Sequence, residues 1–135
     1  MRTALAALLL LPLAACVSAN RVHLPAQNAL GPYSASVESR GLVFVSGKGG
    51  KSGAAFAEEA EGALRAVEAE LARSGLTLAD VVSVNVFLTD MARYGEFNEV
   101  YARLVPQPYP ARACVAVAAL PANFRVEIQA VAARR

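Results

Sequence analysis

The segment Pro106-Gln107-Pro108-Tyr109-Pro110, followed by Ala111-Arg112-Ala113-Cys114-Val115-Ala116-Val117, constrains the fold more than any other stretch. Prolines this close together remove backbone donors and forbid helix, so a helix must stop before them and the chain must leave them extended. A nearly uncharged apolar run follows and predicts a strand over residues 113–120, with one arginine at its mouth. A guanidinium stays charged at any accessible pH, and burying it without an anion is costly. Its planar fork matches a carboxylate through two parallel hydrogen bonds. Arg112 therefore reads either as an anchor for an acidic small molecule or as half of a structural salt bridge to Glu or Asp.

The N-terminus carries the pattern of an export signal. Met1-Arg2-Thr3 is a short positive start, and residues 4–13 form an apolar run too short to cross a bilayer as a finished helix. The run ends in Leu13-Ala14-Ala15-Cys16, which resembles a bacterial lipobox, with the Cys16 thiol as the lipid acceptor. Val17 stands where an aspartate would suggest inner-membrane retention. The expectation is a lipoprotein signal peptide over residues 1–15, a tether over 16–30 and a folded domain over 31–135. The protein would then sit at the periplasmic face of the envelope, on the outer membrane, touching lipid through its anchor only.

Setting Arg2 aside leaves 12 basic against 11 acidic residues, so the domain is near neutral and shows no basic stripe. Nucleic acid is not an expected partner. With Cys16 lipidated, Cys114 is left without a disulfide partner. The lone His23 has no second ligand at metal-binding spacing, and no metal site is expected there.

Residues 34–38 and 42–46 predict two strands joined by a turn at Ser39-Arg40-Gly41. Gly47-Lys48-Gly49-Gly50-Lys51-Ser52-Gly53 imitates a phosphate-binding loop, but that motif would need glycine where Val45 stands. A flexible loop bearing lysines is the expectation. Phe56, Ala60, Leu64, Val67 and Leu71 recur at helical spacing, with Glu58, Glu59 and Glu61 near the positive helix end and Gly75 placed for a left-handed cap. Val82, Val84, Val86 and Leu88 alternate with polar positions and with Phe87, marking a half-buried strand. Asp90 or Thr89 caps a second helix through Met91, Tyr94, Phe97, Val100, Tyr101 and Leu104. Strands over 113–120 and 124–132 close the chain around a turn at Pro121-Ala122-Asn123.

The predicted order is β-β-α-β-α-β-β, an α+β domain with one sheet and two helices on one of its faces. The other face, with Ala116, Ala118 and Val131, then requires a cover that an oligomer would provide. Period two puts Arg112 and Cys114 on one face of their strand. Glu127 interrupts the apolar run Val126-Ile128-Ala130. It is either a structural partner for Arg112 or a carboxylate that orients or deprotonates a water. Tyr33 would add a hydroxyl donor. Nothing in the sequence activates Cys114 as a nucleophile. These residues suit binding, proton transfer, or hydrolysis of a bond that is already reactive.

Six segments carry a family resemblance: Gly31-Pro32-Tyr33-Ser34, Leu42-Val43-Phe44-Val45-Ser46-Gly47, Leu88-Thr89-Asp90-Met91, Asn98-Glu99-Val100-Tyr101, Pro110-Ala111-Arg112-Ala113-Cys114 and Val126-Glu127-Ile128. Together they resemble the reactive-intermediate deaminase (Rid, YjgF-type) family. The resemblance implies a chorismate-mutase-like fold, a homotrimer with sites between subunits, and cofactor-independent hydrolysis of small enamines and imines to 2-oxo acids and ammonia. It implies that Arg112 clamps the substrate carboxylate and that Glu127 positions the attacking water, helped by the Cys114 backbone carbonyl. Tyr33, Ser46 and Gly47 would line the pocket. Two departures stand out: Lys48 replaces the family's glutamine in a segment that is shorter before the first helix, and the chain carries a lipobox, whereas familiar members act in the cytosol or organelles. A non-catalytic module that binds carboxylate ligands, or a chaperone-like protein, is the alternative.

Overall fold

In the computed structural model, which describes residues 21–134, alternation of apolar and polar side chains decides the sheet. The expected signal peptide, its lipobox and Cys16 lie outside the described residues. Six strands form one mixed sheet: β1 (Val22–Pro25), β2 (Ser34–Ser39), β3 (Leu42–Gly49), β4 (Val81–Leu88), β5 (Ala111–Ala116) and β6 (Val126–Ala133). Their spatial order is β1-β2-β3-β6-β4-β5. Two helices, α1 (Phe56–Ala72) and α2 (Tyr94–Leu104), complete the domain. α1 lies over β3 and β6, and α2 packs against α1, so both helices cover one face as expected.

β6 is the central strand. Val126, Ile128, Ala130 and Ala132 point inward and are fully buried, opposite Val43 and Val45 of β3 and Val84 and Val86 of β4. Phe56, Leu64, Val67 and Leu71 of α1, with Phe97 and Val100 of α2, close the core from above. Each such side chain contributes about 1.5–3 kcal/mol on leaving water, so the helix-facing layer dominates stability. The opposite face keeps Phe44 and Val115 open to solvent, beside Phe87 and Val131.

Several expectations change. Residues 22–25, assigned to the tether, form β1 and pair antiparallel with β2; the edge position tolerates Pro25, which has no donor to give. The last two strands are not a hairpin. β5 runs parallel to β4, joined to it through α2, while β6 enters between β3 and β4. The connection wraps around the end of β4, where Val117 N–H donates to the Leu88 carbonyl and Thr89 N–H donates to the Arg125 carbonyl. The β5 ladder starts at Ala111, before the predicted 113, and ends at Ala116. Val82 is exposed although it belongs to the predicted alternation, because the β4–β6 register shifts between Val81 and Ser83 and turns Val81 inward.

The lysine-bearing loop is also shorter than predicted, since Gly47, Lys48 and Gly49 belong to β3. Gly50 lies against α1, where a Cβ would collide with the Glu59 carbonyl. Lys48 is tied down by an ion pair to Glu70 of α1 at 3.3 Å. Asp90 caps as predicted, accepting from Ala92 N–H at 2.9 Å, but the first turn is a 3-10 turn that precedes α2.

Candidate functional site

Pro110 delivers the chain directly into β5, and period two then points Arg112 and Cys114 toward the helices. Arg112 is in register with Val84, which is in register with the buried Ala130, so all three share the helix-facing side. Facing Arg112 is one stripe of α2, where Tyr94, Phe97, Asn98 and Tyr101 follow at spacings of three and four. The Arg112 Nη2 donates to the Asn98 Oδ1 at 2.7 Å and to the Tyr94 hydroxyl at 3.3 Å. Its guanidinium carbon stands 4.5 Å above the centre of the Tyr101 ring. Beside it opens a cleft of about 420 Å³ lined by Asn98, Tyr101, Ala102, Tyr109, Pro110 and Arg112.

The electrostatics of this cleft are unbalanced. Among the described residues no carboxylate lies within ion-pair distance of Arg112, and its Nη1 and Nε meet no acceptor. Its protein partners are neutral oxygens and aromatic faces, which orient a cation without cancelling it. Burial pushes the Tyr101 phenol up from its ordinary value, and the Arg112 charge opposes that shift. Burial likewise pushes the Cys114 thiol up, against the same opposing charge. A raised thiol stays protonated at neutral pH and is a poor nucleophile. Cys114 is free and half-buried against the core. A second hollow, near 300 Å³, holds Lys48, Glu70 and Arg73, but these groups satisfy one another.

Glu127 belongs to a different place. It is in register with Phe87, which is in register with Val115, and this row faces away from the helices. Its carboxylate lies against Gly47, where any Cβ would run into it, so glycine at 47 makes room for the acid. Ser46, at the irregularity in the β3–β6 ladder, donates to the Ser34 carbonyl at 2.7 Å. Tyr33 precedes β2 and is 48% exposed.

The structure thus brings together two halves of the predicted set. Arg112 and Cys114 share the helix-facing side of β5; Gly47 and Glu127 share the open face. Within one chain Glu127 is not the structural partner of Arg112, because the two stand on opposite faces of the sheet and are separated by β4. Tyr33 is four strands from β5 in the sheet order, about 19 Å at the usual strand spacing. Sequence reasoning gave no role to Tyr94, Asn98, Tyr101 or Tyr109. The signal for three of them was present as helical spacing, with an Asn interrupting an aromatic stripe. Their convergence on Arg112 depends on α2 lying over β5. Glu59, a helix-end charge by sequence, is fully buried and accepts from the Arg125 backbone N–H at 2.6 Å and Nε at 2.8 Å.

A single mixed sheet with two helices on one face, and a cationic cleft at its edge strand, define a class before they define a protein. The family model described as Endoribonuclease L-PSP matches residues 24–134, and the chain belongs to this family, which includes RutC proteins and reactive intermediate deaminases. It is similar to the RutC family protein y4sK of Sinorhizobium fredii, 39% identical over 113 residues, covering 78% of this chain and 90% of the relative. It is also similar to Reactive Intermediate Deaminase A, chloroplastic, of Arabidopsis thaliana, 38% identical over 111 residues, covering 77% of this chain and 59% of the relative. Among solved structures, Escherichia coli TdcF with bound serine superposes with a TM-score of 0.75 at 34% identity, over 79% of this chain and 91% of that one. The family resemblance and the fold class read from the sequence are both borne out.

Proposed function

We propose that this chain is a reactive intermediate deaminase that hydrolyses small 2-imino acids, or the enamines in equilibrium with them, to 2-oxo acids and ammonia. The observation that carries the reading is the Arg112 guanidinium, free of any carboxylate among the described residues and open to a cleft of about 420 Å³. The relatives named above lend it support: one is named a reactive intermediate deaminase, and another was solved with serine, itself a small carboxylate.

The chemistry follows from an imine carbon that is already electrophilic. Arg112 holds the substrate carboxylate; an incoming oxygen replaces the long bond to the Tyr94 hydroxyl and completes a two-bond grip. Glu127 orients a water and takes a proton as the water oxygen attacks the C=N carbon. The C=N electron pair moves to nitrogen, which is protonated, and collapse of the carbinolamine expels ammonia and leaves the 2-oxo acid. Holding both reactants in place supplies most of the acceleration. The Cys114 carbonyl, Tyr33, Ser46 and Gly47 form the remaining wall.

Within one chain Arg112 and Glu127 face opposite ways, so the proposal includes a homotrimer in which Arg112 of one copy meets Glu127 and Tyr33 of another. The exposed Phe44 and Val115 favour such a cover. The binding-module alternative rests on the shortened loop with Lys48 and Lys51, of which Lys48 turns to Glu70.

An amino-acid oxidase with its substrate generates the imine, and semicarbazide traps what survives. Full-length protein should lower semicarbazone yield, and Glu127→Gln should reduce kcat by about 10²–10⁴-fold while 2-oxo acid binding persists. Unchanged trapping with the wild type would sink the activity. Export and lipidation at Cys16 belong to the same proposal. Cys16→Ser should move the protein out of the membrane fraction, and an unaltered distribution would remove the anchor.

A further inference from the structure

We infer that Tyr101 is a positioning residue for Arg112: its ring face fixes the plane of the guanidinium and leaves the positive charge available to the cleft. The inference deepens the proposal above and rests on Arg112 as the carboxylate anchor.

Tyr101 is 5% exposed, and its ring packs between those of Phe97, 5.7 Å away, and Tyr109, 6.1 Å away. It is a fixed surface. The Arg112 guanidinium carbon lies 4.5 Å from its centroid, nearer than to Phe97 at 5.6 Å or Tyr94 at 5.7 Å. The negative face of an aromatic ring attracts a cation, and the ring accepts none of its in-plane hydrogen bonds. A carboxylate in that place would orient Arg112 equally well, but it would neutralise the charge and occupy the fork. Asn98 adds the complementary restraint. Its 2.7 Å bond to Nη2 restrains the turning of the guanidinium over the ring.

The hydroxyl takes no part in this. Tyr101 Oη is buried and has no hydrogen-bond partner among the described residues. A buried hydroxyl without a partner is a cost, so packing of the ring, rather than a bond from its oxygen, explains what the residue does here. Phenylalanine should therefore replace it in this role, and an aliphatic side chain of similar bulk should not.

The test uses Tyr101→Phe, Tyr101→Leu and Tyr101→Met in the full-length protein. The first readout needs no ligand: the rate of rotation about the Arg112 Cζ–Nε bond, followed by 15N NMR, with exposed Arg103 as the internal reference. Wild type and Tyr101→Phe should show slowed rotation at Arg112, whereas the Leu and Met variants should approach the rate of Arg103. The second readout is kinetic. Relative to Tyr101→Phe, the aliphatic variants should raise KM for a 2-imino acid about five- to ten-fold, with kcat moving much less. Rotation at Arg112 as fast as at Arg103 in the wild type would overturn the inference, even if neither aliphatic variant folds. Tyr101→Phe behaving like Tyr101→Leu would overturn it too. If the wild type shows no deaminase turnover while the rotational pattern holds, the proposed activity fails and the positioning role stands.

Discussion

Arg112 and Arg125 are both partly exposed arginines beside aromatic rings, yet the fold treats them in opposite ways. Arg125 stands 5.7 Å from the Phe56 ring and meets the Glu59 carboxylate, itself 0% exposed, at 2.7 Å. Arg112 stands 4.5 Å from the Tyr101 ring and meets neutral oxygens of Asn98 and Tyr94. A buried carboxylate consumes a guanidinium; a ring and an amide only aim it. The first arrangement joins α1 to the start of β6, and the second leaves a charge in want of a partner. What separates the structural arginine from the one proposed to bind a ligand is thus the chemistry of its neighbours.

The comparison breaks if exchanging the two sites gives the same phenotype. The largest expected effect is on activity: Arg112→Ala should lower kcat/KM roughly 100-fold, as loss of a charge-assisted pair predicts, with little change in urea stability. Arg125→Ala should do the reverse. It leaves Glu59 buried without its cation, at a cost of about 2–4 kcal/mol in urea unfolding, below the value for fully buried pairs because Arg125 retains a solvent-exposed side. Equal losses of stability in both variants would erase the distinction.

A smaller effect sharpens the comparison on the structural side. Burial raises the Glu70 carboxyl, but hydrogen bonds from Ser36 and Arg73 and the Lys48 charge outweigh it, so its native pKa lies below the ordinary value. A depressed carboxylate contributes stability that is present above its unfolded pKa, about 4.3, and is lost as pH falls through the native value. Glu70→Gln should therefore cost about 1–2 kcal/mol at pH 7, and the gap from wild type should close in acid below that range. A gap that stays constant from pH 7 to strongly acid solution would contradict the assignment.

Much of this was legible one element at a time. Phe56 to Leu71 declared α1, the prolines ended α2, and Arg112 with Cys114 fell on one face of β5 by period two. Local patterns encode such features because they report which side of a helix or strand leaves water. The partners were not legible. Glu59 and Glu70 look like helix surface charges until α1 is seen to press them against Arg125, Ser36 and Lys48. The run Val22-His23-Leu24-Pro25 carries too little periodicity to announce β1, which depends on an existing edge to pair with. The hairpin expected between the last strands failed for the same reason, since strand neighbours far apart in sequence are chosen by the whole sheet.

From its sequence alone, then, the chain determined the helices, most of the strands, the family to which it belongs, and the arginine proposed as the anchor for an acid group. Only the tertiary structure decided that Arg112 has no acidic neighbour among the described residues, that Tyr101 and Asn98 contact it, and that Glu127 looks out from the opposite side of the sheet. The physical reason is that burial and periodicity are local properties, whereas the balance of a charge depends on which distant elements are packed beside it.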